Sequence, residues 1–138
     1  MSEQKEYRLK DQIGFKLRLA NQKHLDVFSR LMPEVTPTQF AVLAKLSETG
    51  NISQNHLGRL VKMDAATTKG VIDRLKKKRF VLSTPSQTDL RRLEISLTED
   101  GRIFTLNAVE TAHFISDKTA TNLSLRELER LLALLDKL

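Results

Sequence analysis

The chain has 138 residues, no cysteine, 40% apolar and 29% charged residues, and a formal charge of +6. That length suits one domain able to bury a core without disulfide staples, and the missing thiols exclude cysteine catalysis, cysteine redox sensing and Cys-ligated zinc. No apolar run approaches the ~18 residues that a membrane span needs, and MSEQKEYRLKDQ carries no apolar signal-peptide stretch, so a cytoplasmic protein without a membrane partner is expected.

Apolar residues recur with helical spacing at Leu9, Ile13, Leu17, Ala20, Phe28 and Leu31, which predicts a long first helix from about Tyr7 to Leu31. Met32 and Pro33 read as ordinary features of the connection that ends it. Thr36-Pro37-Thr38-Gln39 supplies a Thr N-cap, Pro at the first helical position and a Gln placed to close a capping box, so a second helix starts at Pro37. It turns Phe40, Val42, Leu43 and Leu46 inward and stops at Gly50. Ser53 is positioned to cap a short third helix and Asp64 a fourth that runs to about Arg79. Two helices joined this tightly make a helix-turn-helix, in which the first braces the second against DNA.

Beyond Phe80 the period changes. Phe80 to Ser83 is short and β-prone, and Leu93 to Leu97 alternates apolar and polar residues; together they predict a hairpin whose loop spans Thr84 to Arg92. Thr98-Glu99-Asp100 opens a fifth helix reaching about Thr119, and Ser124-Leu125-Arg126-Glu127 is a second capping box. Leu125, Leu128, Leu131, Leu132, Leu135 and Leu138 then form an apolar stripe. Either both terminal helices pair with symmetry mates in a homodimer, the economical reading, or they complete the core of a single chain.

The charge is concentrated. Residues 62 to 92 hold nine Lys/Arg and three Asp/Glu, a net +6 that equals the charge of the whole chain, while the flanks at +3 and −3 cancel. Such an excess fits a polyanion such as double-stranded DNA, or else a solvated lysine-rich helix. On a helical wheel Thr68, Val71, Ile72 and Leu75 face one side of the fourth helix. Ala66, Thr67, Gly70, Asp73, Arg74 and Lys77 face the other, with Lys69 at the edge. Small residues let a helix approach the major groove, hydroxyls and Lys reach base edges, and Arg or Lys bind phosphates. Asp73 breaks the cationic face: it orients Arg74 or a wing arginine, or is simply solvated. At the hairpin tip, in Asp89-Leu90-Arg91-Arg92, an arginine on a protruding loop suits the narrow minor groove while the acid fixes its guanidinium. The expected fold is mainly α with a small β-hairpin wing: a winged helix-turn-helix plus N- and C-terminal helices.

The chain resembles the MarR-type (multiple antibiotic resistance) transcriptional regulators over nearly its whole length. The matching segments are VTPTQFAVLAKL, the brace helix Ile52 to Leu60, DAATTKGVIDRL at Asp64 to Leu75, the wing D-x-R of Asp89 and Arg91, and LEISLTEDG at Leu93 to Gly101. The resemblance implies a homodimer that binds a near-palindromic operator, most often as a repressor, and is released when a small effector enters the cleft between its dimerisation and DNA-binding regions. It divides a single domain, 1–138, into dimerisation helices at 1–33 and 99–138 and a DNA-binding region at 36–98. It makes Ala66, Thr67, Lys69, Gly70 and Arg74 recognition residues and Arg91 the minor-groove reader, and sets Ser53, Gln54 and Asn55 near phosphates. Lys77, Asp89 and Arg92 complete the expected DNA contacts. Two positions depart from the pattern: Gly70 stands where many relatives carry a larger residue, and Leu90 where the wing is often basic. Without cysteine, the thiol-based sensing of some relatives is excluded and ligand occupancy is left as the switch.

Ile13 to His24 is similar to the first helix of a branch of that family that controls catabolism of aromatic acids or their coenzyme A thioesters. Arg18 or His24 beside Phe28, Phe40 and Phe104 would suit an aromatic anion, although an interface histidine and a surface cation are the plainer readings of each alone. The chain lacks a Gly-rich phosphate loop, H-E-x-x-H and G-x-S-x-G. His24, His56 and His113 lie on three different predicted helices, so no enzyme, cofactor or metal site is expected. The alternative function is an architectural protein that coats DNA without choosing sequence.

Overall fold

The computed structural model describes residues 6–138. A 3-10 turn, Leu9–Asp11, precedes α1 (Ile13–Leu31), α2 (Pro37–Thr49), β1 (Ile52–Ser53), α3 (Gln54–Leu60) and α4 (Ala65–Lys77). The wing strands β2 (Val81–Pro85) and β3 (Leu93–Leu97), then α5 (Glu99–Thr119) and α6 (Leu125–Leu135), complete the chain. α1 packs on α5, and α5 on α2. The sheet order is β1-β3-β2, antiparallel throughout, with Ile52 opposite Ile95 and Ser83 opposite the same residue from the other side. The fold is therefore the mainly helical, winged arrangement that the sequence predicts.

Both capping boxes form. Thr36 Oγ1 accepts from the Gln39 N–H and the Thr36 N–H donates to Gln39 Oε1, each at 3.2 Å. Ser124 and Glu127 repeat the exchange at 3.1 and 2.9 Å. The core joins Phe28 and Met32 from the end of α1 to Val42, Leu43 and Leu46 of α2, Leu57 of α3, Val71, Ile72 and Leu75 of α4, and Val81 and Ile95 of the wing. Phe40, expected inward with its neighbours on α2, is only half-buried. Met32 is 1% exposed, so it is a core residue rather than part of a mere connection.

Several boundaries differ from expectation, each for a local reason. The first helix begins at Ile13, not Tyr7, because Gln12 is extended and its side-chain amide turns back to donate to the Arg8 carbonyl. The apolar spacing runs through this break. The two-residue strand β1 is too short to show a period, and only its pairing with β3 defines it. β2 continues to Pro85, which has no N–H to donate and is tolerated on this edge strand, so the wing loop is Ser86 to Arg92.

The fourth helix ends at Lys77 instead of Arg79. Arg79 is left-handed, at φ 64°, its N–H donates to the Lys76 carbonyl at 2.9 Å and the Phe80 N–H to the Leu75 carbonyl at 3.0 Å. That is a Schellman ending. Lys62, at φ 60°, closes α3 in the same way, with Lys62 and Met63 donating to the Arg59 and Gly58 carbonyls. Glycine is the residue these positions favour, and a cation occupies both. Arg79→Gly is expected to stabilise the fold by about 1 kcal/mol, read as a raised thermal midpoint, because it removes the Cβ penalty of a left-handed residue. A lowered midpoint would show that Arg79 contributes more through its side chain than its backbone costs.

α5 is docked on this ending. Thr98 Oγ1 donates to the Arg79 carbonyl at 2.6 Å, accepts from the Gly101 N–H at 3.0 Å, and its own N–H donates to the Phe80 carbonyl at 3.0 Å. A Cβ on Gly101 would come within 1.9 Å of the Phe80 carbonyl oxygen, so only glycine permits this approach. The end of α4 is thereby tied to the long helix that follows the wing.

Candidate nucleic-acid interface and ligand cleft

Asp64 starts α4 by accepting the Thr67 N–H at 2.7 Å, and that bond holds its carboxyl below the usual carboxylate range. The cap's contribution is therefore present at neutral pH and fades as pH falls through that lowered value. The predicted partition of α4 holds: Thr68, Val71, Ile72 and Leu75 are buried, while Ala66, Thr67, Lys69, Arg74 and Lys77 are exposed and Gly70 and Asp73 half-exposed. Asp73 accepts Lys69 Nζ at 2.8 Å, the contact that chiefly lowers its pKa, with Lys76 and Lys77 adding to the shift. It touches neither Arg74 nor a wing arginine. The i,i+4 spacing of Lys69 and Asp73 was the signal for this pair.

Gly70 has open space outward: a Cβ there would meet only Arg74 Nη1, at 3.4 Å. Glycine is thus not demanded by packing, and its effect is to leave the middle of the outward face bare. Gly70→Ala is expected to raise helix stability by roughly 1 kcal/mol while changing operator affinity, measured by thermal denaturation beside fluorescence anisotropy. A drop in stability would mean that the position is not open.

In the wing, Asp89 organises both arginines. Its Oδ1 accepts the Arg91 N–H at 3.1 Å and Arg91 Nε at 3.3 Å, and Arg92 Nε lies 3.8 Å from Oδ2. The Arg92 N–H donates to the Asp89 carbonyl and the Ser86 N–H to the Arg92 carbonyl, which closes the loop. Arg91 remains 92% exposed at its side chain. Ser53 caps α3 through the His56 N–H at 3.1 Å, and Ser53, Gln54 and Asn55 share one concavity with Arg91 and Arg92. The brace helix and the wing therefore converge. Arg59, outside the basic segment 62–92, lines a depression between α3 and α4 with Gln54, Asn55 and Ala65.

The effector candidates divide. His24 and Phe40 each place a ring 6.3 Å from that of Phe28, and His24 Nδ1 is hydrogen-bonded to Thr119 Oγ1 at 2.8 Å, joining α1 to the end of α5. Phe104 instead stacks on Phe80, centroids 4.6 Å apart, and the Arg18 guanidinium lies over Phe15 at 5.2 Å. The single chain thus brings together three of the five residues. Phe28 also lines a cleft of about 550 Å3 under the α1–α2 connection. Among the described residues, no group of three or more His, Asp or Glu gathers as a metal site, and no helix is long and apolar enough to cross a membrane.

Residues 35–93 match the model of the MarR family. The HTH-type transcriptional repressor NicR of Pseudomonas putida is 32% identical over 134 residues, covering 96% of this chain and 85% of that protein. The chain belongs to the MarR family. It is a DNA-binding transcriptional regulator and not an enzyme. Among solved structures, a probable transcriptional regulator from Pseudomonas aeruginosa is 45% identical with a TM-score of 0.89, over 94% of this chain and 98% of that one. Bordetella bronchiseptica BpsR, solved to explain regulation of its DNA binding by 6-hydroxynicotinic acid, is 32% identical with a TM-score of 0.91, over 96% of each chain. Helices α3 and α4 with the strands β2 and β3 make up the winged helix-turn-helix of this family.

Proposed function

We propose that this regulator is a homodimeric repressor that binds a palindromic operator and releases it when a small aromatic acid, or its coenzyme A thioester, is bound. The observation that carries the reading is the separation of two surfaces on one chain. Lys69, Arg74, Lys77 and the wing arginines are exposed on the winged helix-turn-helix, whereas α6 buries none of its residues and leaves Leu132 54% and Leu135 40% exposed. α1 likewise exposes Leu17, Leu19 and Leu25. A second copy covering these helices would bury the apolar surface and present two recognition helices with two-fold symmetry to two half-sites. That effectors are aromatic acids is supported by the likeness to BpsR over 96% of the chain and by the His24, Phe28 and Phe40 cluster. A cytoplasmic location follows from this role.

Footprinting on the DNA flanking its own gene, together with calorimetric titration of phenolic and benzoic acids and their thioesters, tests the reading. A protected palindrome whose occupancy falls with a bound acid is expected. Uniform coating at every sequence would return the architectural alternative, since a repressor prefers its operator by ~10³-fold or more. Acids that bind without changing operator affinity would remove the effector class.

A further inference from the structure

The cleft beneath the α1–α2 connection is bounded by Phe28, Met32 and Pro37 on its apolar side, and α4 reaches it through a single side chain, Lys78. Among the described residues that line it, Lys78 carries the one positive charge and Glu34 the one negative charge. Lys78 Nζ donates to the Glu34 backbone carbonyl at 2.9 Å. Lys78 is also the C-cap of α4, and the next residue is the left-handed Arg79 whose carbonyl is held by Thr98. The end of α4 is therefore fastened twice: to the start of α5 through Thr98, and to the α1–α2 connection through Lys78.

We propose that Lys78 is the cation that takes an anionic ligand in this cleft and transmits its occupancy to the recognition helix. This rests on the effector reading above and names the contact through which that effector acts. The ammonium now meets a neutral carbonyl; a carboxylate in the cleft offers it a charge-assisted bond about twice as strong. Exchanging one acceptor for the other frees the α1–α2 connection from the end of α4, which is then held there by Thr98 and by the packing of Val71, Ile72 and Leu75. The angle of α4 to the rest of the chain is then no longer held from both sides. Arg18 rests on Phe15 and His24 Nδ1 is engaged by Thr119, which leaves Lys78 as the cation facing the cleft. The Glu34 carboxylate shares the cleft and opposes a second negative charge, which favours a monoanion.

The test measures operator affinity of the full chain by fluorescence anisotropy, with 6-hydroxynicotinic acid and benzoic acid as probes and 6-hydroxynicotinamide as the uncharged control. The wild type is expected to lose about tenfold in affinity with an acid and nothing with the amide. Lys78→Gln, which lacks the tie to Glu34, should bind unliganded DNA with an unchanged salt slope but an affinity already lowered toward that of the acid-bound wild type, and should show no further response to the acid, whereas Lys78→Arg should restore both. Release of Lys78→Gln by the acid as efficiently as wild type overturns the proposal. So does a salt slope reduced by about one, which would mark Lys78 as a phosphate contact instead. Loss of response in His24→Ala with Lys78→Gln unaffected would move the anion to His24. A wild type indifferent to both acids overturns the effector reading itself, and this inference with it.

Discussion

Removing residues 121–138 is expected to give a monomer that retains its winged helix-turn-helix and binds one half-site, with operator affinity lowered by about 10²- to 10⁴-fold. Those residues contain α6. The leucine stripe of α6 is amphipathic enough to demand a partner, yet within the single chain none of its residues is fully buried or belongs to the core formed by α1 to α5 and the wing, so its loss opens no cavity there. The loss should therefore fall on association. Two linked half-site contacts give the second an effective concentration, and a monomer forfeits that advantage without losing any contact of its own. Sedimentation velocity and anisotropy on whole and half operators, with circular dichroism to verify the fold, separate the outcomes. Dimers of unchanged stability would mean that α1 and α5 suffice for association, and a collapse of helicity would mean that α6 is needed for folding.

What was legible in the sequence follows physical range. Caps are local, and Thr36 with Gln39, Asp64 with Thr67 and Ser124 with Glu127 form as their spacing predicts. The two faces of α4 are set by 3.6-residue periodicity, and the structure reproduces them residue by residue. Features made by partners distant in the chain were not legible. Phe104 selects Phe80 over Phe28, a choice made by how α5 crosses the start of the wing. The Schellman endings at Lys62 and Arg79 carry no glycine to announce them. Lys78 sat in the run Lys76-Lys77-Lys78-Arg79, where charge alone cannot distinguish the residue that reaches Glu34, 44 positions away, from neighbours facing solvent or phosphate.

Arg91→Ala is expected to lower operator affinity by about 1–3 kcal/mol, roughly 5- to 150-fold, with no change in thermal stability. The side chain is almost wholly exposed, so its removal leaves no cavity and no unpaired buried group. It is nevertheless not free: Asp89 accepts from both its backbone N–H and its Nε, which fixes the base of the side chain and leaves the guanidinium's outer edge available. An exposed ion pair of this kind adds little to folding stability, so its effect should be on orientation. Asp89→Ala should consequently cost less than Arg91→Ala, because it loosens the arginine without removing it. Arg91→Lys should recover only part of the loss, since an ammonium lacks the planar fork. The salt dependence then distinguishes two contacts. If Arg91 reads the minor groove, Arg91→Ala weakens the operator more than random DNA and relaxes preference at the base pairs beneath the wing. If it only binds phosphate, affinity falls equally on every sequence and the salt slope drops by about one. An Arg91→Ala protein with undiminished operator affinity would remove the wing from recognition and leave α4 to carry it alone.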